Sequence, residues 1–180
     1  MVAVKGKRIY INLLALPGVI LMIVAMFYPW WAFKMEFNEQ TNLYPYLLDG
    51  PASEIIGYQR SSQMTLLTGV LVACILLALI GAFSPKRLSR WLLLTSGLLN
   101  SLAVWRLLVR VAGVAALYHL PIQGEAVASY GGFAKVKVWS KIQPGLYLDA
   151  AGIVFVLLGA ILLWTTYIRP DEIPAQVEES

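Results

Sequence analysis

Cysteine and histidine are almost missing from this chain of 180 residues, which has one of each, Cys74 and His119. A lone cysteine excludes an intrachain disulfide, so pairing leaves no record of the redox compartment, and Cys74, inside an apolar run, reads as packing. A lone imidazole excludes a bis-histidine haem within the chain, and no set of soft metal ligands accompanies it. Charge is sparse as well, at 13% of residues against roughly 25% in soluble domains. No phosphate-binding glycine loop and no nucleophile-base-acid set is recognisable. No catalytic residue, metal ligand or cofactor is therefore expected.

Apolar residues fill the space, at 59% of the chain with mean hydropathy +0.70, well above the roughly 45–50% of soluble domains. This is the composition of a membrane protein, and the bilayer is its first partner. The net charge of +4 and pI near 9.2 do not indicate nucleic acid. The basic residues are scattered among membrane-flanking clusters and loops rather than gathered on one amphipathic face. No repeat, low-complexity run or Gly/Ser linker divides the chain, so residues 1–168 read as one domain. Residues 169–180, acidic and poor in apolar side chains, read as a disordered tail.

Crossing a hydrocarbon core of roughly 30 Å takes about 20 apolar residues. Four segments qualify: Ile9 to Tyr28, Met64 to Phe83, Trp91 to Tyr118 and Leu146 to Ile168. The first resembles a signal peptide but is long and lacks a small-residue cleavage site, so it is read as a retained span. Pro17 and Gly18 mark a possible kink in it. Gly69 and Ala73 give the second span a small-xxx-small spacing. Lys5, Lys7 and Arg8 precede the first span, and Lys86, Arg87 and Arg90 occupy the turn between the second and third. The positive-inside rule then places both termini in the cytoplasm of a multi-pass plasma-membrane protein. Lys135, Lys137 and Lys141 in the second outer loop dissent, but four spans must bring the chain back to its starting side.

Both outer loops carry period-two patterns. Trp31, Phe33, Met35 and Phe37 alternate with Ala32, Lys34, Glu36 and Asn38, and Ala134, Val136 and Val138 alternate with Lys135, Lys137 and Trp139. Two strands outside the bilayer need partners for their backbone groups, so a shared sheet is expected. Trp31, Lys135, Lys137 and Trp139 form its candidate interaction surface, while Trp30, Trp31 and Trp139 also suit interfacial anchors. The expected fold is all-α and transmembrane, a four-helix bundle with a small extracellular β-sheet built from the two outer loops. This arrangement, with a long first outer loop opening at Trp30 and Trp31 and an extended third helix, resembles the claudin-like tetraspan group. The first-loop signature of that group, Trp, then Gly-Leu-Trp, then two cysteines, is missing beyond those tryptophans. The resemblance implies a non-enzymatic role exercised through lateral contacts.

The third span holds Arg106 and Arg110, which share a face with Thr95 and Gly113 at ~100° per residue. In the fourth, Gly145, Gly152 and Gly159 recur every seven residues, with Asp149 on the same seam. Small residues let membrane helices approach closely, so this seam should face inward and carry Asp149 with it. An unpaired mid-helix charge costs about 2.5–3.5 kcal/mol, which favours an ion pair between Arg110 and Asp149. Arg106 is then one anion short. Backbone carbonyls, Thr95, Asn12 or a buried water offer one answer, an anion from another subunit or a lipid phosphate the second, an anionic substrate the third. The function expected is a non-catalytic subunit of a larger membrane complex, assembling with another membrane protein or with itself. The alternative is a small transporter or membrane enzyme binding an anion or quinone between helices three and four.

Overall fold

A computed structural model describes residues 11–36, 39–51, 53, 60–117, 121–130 and 134–165. The tail 169–180, Phe37, His119 and the basic residues before the first span lie outside them. Four helices pack side by side: α1 (Ala15–Ala25), α2 (Ser62–Ala82), α3 (Lys86–Leu117) and α4 (Pro144–Thr165). A sheet of β1 (Trp31–Met35), β2 (Thr41–Leu43), β3 (Leu48–Asp49), β4 (Gly124–Tyr130) and β5 (Ala134–Ile142) stands at one end. Three helices, α2, α3 and α4, are long and apolar enough to cross a membrane. Only 22%, 28% and 39% of their apolar stretches are buried, so most of this surface lies outside the bundle, where lipid suits it better than water.

The first helix departs from expectation. It has 11 residues, a rise of roughly 16 Å, and does not meet the length of a span. Asn12 starts it, its Oδ1 accepting from the backbone N–H of Leu14 and Ala15. Pro17 stands in the first turn, where a missing N–H leaves no bond unmade, so it begins the helix and does not interrupt it. Beyond Ala25 the chain tightens, Met26, Phe27 and Tyr28 each donating three residues back, until Pro29 ends the coil. The third helix, by contrast, starts five residues before Trp91. Pro85 closes the turn from α2, its carbonyl accepting from Leu88 and Ser89, and Lys86 and Arg87 are drawn into the helix.

Small residues set the bundle's tightness. Its core joins Ala15, Val19 and Met22 of α1, Cys74, Ala78 and Ala82 of α2, Leu93 of α3, and Val156, Ala160 and Leu163 of α4. Cys74 is packed there as its apolar setting predicted. A second core, Trp30 with Leu71 and Leu146, joins the bundle to the sheet. Trp30 is 1% exposed and donates Nε1–H to the Ala25 carbonyl at 2.9 Å, so it is a core residue and not an interfacial anchor. Asn12 also holds the far end together: Nδ2 donates to Gly159 O at 3.1 Å and its backbone N–H to Ala82 O at 2.8 Å. Asn12→Ala removes a helix cap and an interhelix bond together. The expected loss is about 1–2 kcal/mol, read from the midpoint of detergent-induced unfolding.

The two expected strands, β1 and β5, pair with each other, antiparallel, from Trp31 against Ile142 to Met35 against Val138. The other three were not legible. β2 and β3 are only three and two residues long, too short for an alternation to register. The final order is β3-β2-β1-β5-β4. Side chains directly opposite one another share a face, so Trp139 stands with Lys34 and Glu125, and Lys135, Lys137 and Lys141 continue that face at period two. Val138 and Ser140, both buried, belong to the other.

Candidate functional site

The glycine seam of α4 is an inward face, as its heptad spacing implied, and the partner it accepts is α1. A Cβ on Gly145 would lie 2.5 Å from Trp30 Cδ1 and 2.6 Å from Tyr28 O. One on Gly152 would lie 2.8 Å from Gly18 O, and one on Gly18 the same distance from Gly152 O. At Gly159 the neighbours are Asn12 Nδ2 and Ala15 Cβ, at 3.2 and 3.3 Å. The two backbones therefore touch at Gly18 and Gly152, a contact open only to residues without a side chain.

Asp149 is turned inward with this seam and is 2% exposed. Its partner is not Arg110. Asn100 of α3, fully buried, donates Nδ2–H to Asp149 Oδ1 at 3.1 Å. Asn100 ends an inward stripe of α3 in which Ser89, Leu93, Ser96 and Asn100, all 0% exposed, follow at intervals of four, three and four. One turn before it, Ser96 donates its hydroxyl to Cys74 O at 2.7 Å, tying α3 to α2. That 4-3-4 spacing was the signal in the sequence.

Arg106, Arg110, Thr95 and Gly113 do share a face, and it is the exposed one. Neither guanidinium makes a hydrogen bond or ion pair among the described residues, so the expected ion pair of Arg110 with Asp149 is corrected, and Arg106 still meets no anion there. The reason is partly angular. Six and ten positions separate Asn100 from Arg106 and Arg110, about 600° and about 1000° of turn at ~100° each, which leaves them roughly 120° and roughly 80° round α3 from it, on an exposed flank. Depth separates them as well. Pro144, the first residue of α4, is five positions from Asp149, and Arg106 is six from Asn100, so Arg106 is level with the first turn of α4. On α2, Cys74 lies twelve positions from Ser62, which brings Arg110 level with the start of that helix. The neighbouring helices thus end beside the arginines, while α3 continues to Leu117.

Around them the outward face of α3 is apolar and bulky: Leu102, Trp105 and Val109 are 63%, 65% and 53% exposed. The result is an unpartnered stripe with two cations in an oily surround. At the opposite end Arg90 is treated differently, its guanidinium 4.5 Å from the centre of the Trp164 ring, which meets Trp91 edge-on at 5.4 Å. Gly69 and Ala73 are both exposed on α2, and nothing lies within 4 Å of a Cβ placed on Gly69.

The outer surface expected from Trp31, Lys135, Lys137 and Trp139 divides. Lys135, Lys137 and Trp139 share a face with Lys34, but Trp31 is on the reverse side beside Phe33, its Nε1–H donating to Ile122 O at 2.9 Å. Where β5 passes into α4 a surface hollow of 440 Å³ is lined by Lys141, Ile142, Gln143, Pro144, Tyr147 and Leu148. No group of three or more metal-ligating side chains occurs among the described residues. No protein-family model matches the chain, and no curated protein matches it.

Proposed function

We propose that this chain is a non-catalytic polytopic membrane subunit that assembles with, stabilises or regulates a larger membrane protein complex. Lateral helix contacts and the outer sheet are its working surfaces. One observation carries the reading: the outward stripe of Leu102, Trp105, Arg106, Val109 and Arg110, whose charges meet no anion of this chain among the described residues. A guanidinium left unpaired in this apolar surround, beside the ends of α2 and α4, carries a desolvation cost smaller than the about 2.5–3.5 kcal/mol of a mid-span charge. An acidic side chain on a neighbouring membrane protein, or on a second copy, removes that cost. The setting proposed is the plasma membrane with both termini cytoplasmic and the short α1, extended by its flanking turns, completing a claudin-like tetraspan bundle. The joining of strands from both outer loops into one sheet supports that likeness at the level of architecture.

Anion or quinone binding between α3 and α4 is less well supported. That seam is filled: Asn100 and Asp149 are 0% and 2% exposed, and a Cβ on Gly97 would be 2.5 Å from Leu157 Cδ2.

Extraction from the native membrane in mild detergent tests the proposal. The chain is expected to migrate in a large assembly, and Arg106→Gln with Arg110→Gln to release it as a small particle of unchanged thermal stability. Wild-type protein that migrates alone, or an assembly indifferent to both substitutions, removes the proposal.

A further inference from the structure

The contact between Asn100 and Asp149 leaves two buried oxygens without a donor. Asn100 Nδ2 donates to Asp149 Oδ1, yet Asn100 Oδ1 and Asp149 Oδ2 are both buried and have no hydrogen-bond partner. A carboxylate oxygen and a carboxamide oxygen are acceptors only. As an ionised pair these residues would make one bond, bury a negative charge and leave two acceptors orphaned. Each orphan costs about 1–3 kcal/mol, and a buried charge more.

A single proton resolves all three defects. Placed on Asp149 Oδ2, it is donated to Asn100 Oδ1 while Asn100 Nδ2–H continues to be donated to Asp149 Oδ1. A neutral acid and a primary amide then exchange two hydrogen bonds in a closed ring. Both orphan oxygens are engaged and no charge is buried. Among the described residues no cation is placed to do this instead. α1 has no titratable side chain from Ala15 to Ala25. α2 brings Cys74, a buried thiol whose backbone carbonyl accepts from Ser96. The inward stripe of α3 brings only Ser89, Ser96 and Asn100 as polar groups. Arg106 and Arg110 are exposed on a flank of α3 and lie six and ten residues further along it, and Arg90, ten residues away in the other direction, is over Trp164.

We propose that Asp149 is held as the neutral carboxylic acid, its O–H donated to Asn100 Oδ1, and that the α3–α4 seam is thereby a proton-binding site enclosed in the bundle. The site lies one turn beyond the Ser96–Cys74 bond, near the midpoint of α2 (Ser62–Ala82). Removing the proton would set a buried carboxylate oxygen against a buried amide oxygen, two acceptors with nothing to share. The ring would open, and the seam would lose one of its two bonds. The seam therefore works as a latch closed by one proton.

Infrared spectroscopy of the full-length protein in lipid nanodiscs at neutral pH decides the matter. Wild-type protein is expected to show the C=O stretch of a buried carboxylic acid, and Asp149→Asn to lack it. The same variant, whose two carboxamides can form an equivalent ring, is expected to keep the wild-type melting temperature, while Asp149→Leu lowers it. Absence of the acid band from wild type overturns the proposal whatever the stability of the variants. A wild-type melting temperature that rises with added sodium or potassium, with no such rise in Asp149→Asn, also overturns it, by identifying a metal cation between the oxygens.

Discussion

Gly152→Leu is expected to detach α1 from the bundle. Any Cβ at this position would lie 2.8 Å from Gly18 O, 2.7 Å from Met22 Cγ and 3.1 Å from Met22 N. Two of those three atoms are backbone and cannot rotate away. Relief therefore requires the helices to separate, and separation strips contact from Ala15, Val19, Met22, Val156 and Ala160 together. Overpacking a tight interior costs about 1–3 kcal/mol and occasionally more, and a clash with backbone belongs at the upper end. Gly152→Ala should do the same to a smaller degree. Gly69→Ala is the control, since nothing lies within 4 Å of its new methyl. Unfolding midpoints in mixed micelles will separate them. If Gly152→Leu and Gly69→Ala unfold together at the wild-type midpoint, the backbone contact between α1 and α4 is not present in the protein.

Asn100→Leu should be the second most damaging change, and charge exchange should not mimic a cure. The substitution removes the Asn100 amide that donates to Asp149 Oδ1, and with it the proposed return bond, while leaving that carboxyl 2% exposed. Loss of a buried partner costs about 1–3 kcal/mol, more if the surviving group is charged. Arg110→Gln, altering an exposed side chain, should leave the unfolding midpoint within about 0.5 kcal/mol of wild type. Arg110→Asp combined with Asp149→Arg should be no more stable than Asp149→Arg alone, because Arg110 points out of the bundle. Recovery in that double variant would restore the direct ion pair and displace Asn100 as the partner.

Much of the architecture was legible because it follows from periodicities that one strand or helix displays by itself. Alternation in Trp31–Met35 and Ala134–Ile142 identified two strands, and their unpaired backbone groups required a common sheet. The seven-residue repeat of Gly145, Gly152 and Gly159 identified the face of α4 on which Asp149 turns inward. Failures came where two elements had to be oriented against each other. Arg106 and Arg110 lie together on one side of α3, but a helical wheel gives only relative angles and does not say which side meets the neighbours. Formal charge does not mark the interior of α3; the uncharged stripe of Ser89, Ser96 and Asn100 does.

Composition and run length by themselves determined that this is an apolar chain with helices of membrane-crossing length, because the cost of leaving backbone groups unpaired in lipid admits few other solutions. They also determined which residues share a face. Only the tertiary structure decided that α1 lies in the glycine groove of α4, that Trp30 is core, that Trp31 and Trp139 look in opposite directions, and that Asn100 meets Asp149. Those outcomes depend on the rotation of each helix about its own axis and on the register of one strand against the next. Both are set by the fit of many side chains at once, and no single stretch of sequence contains them.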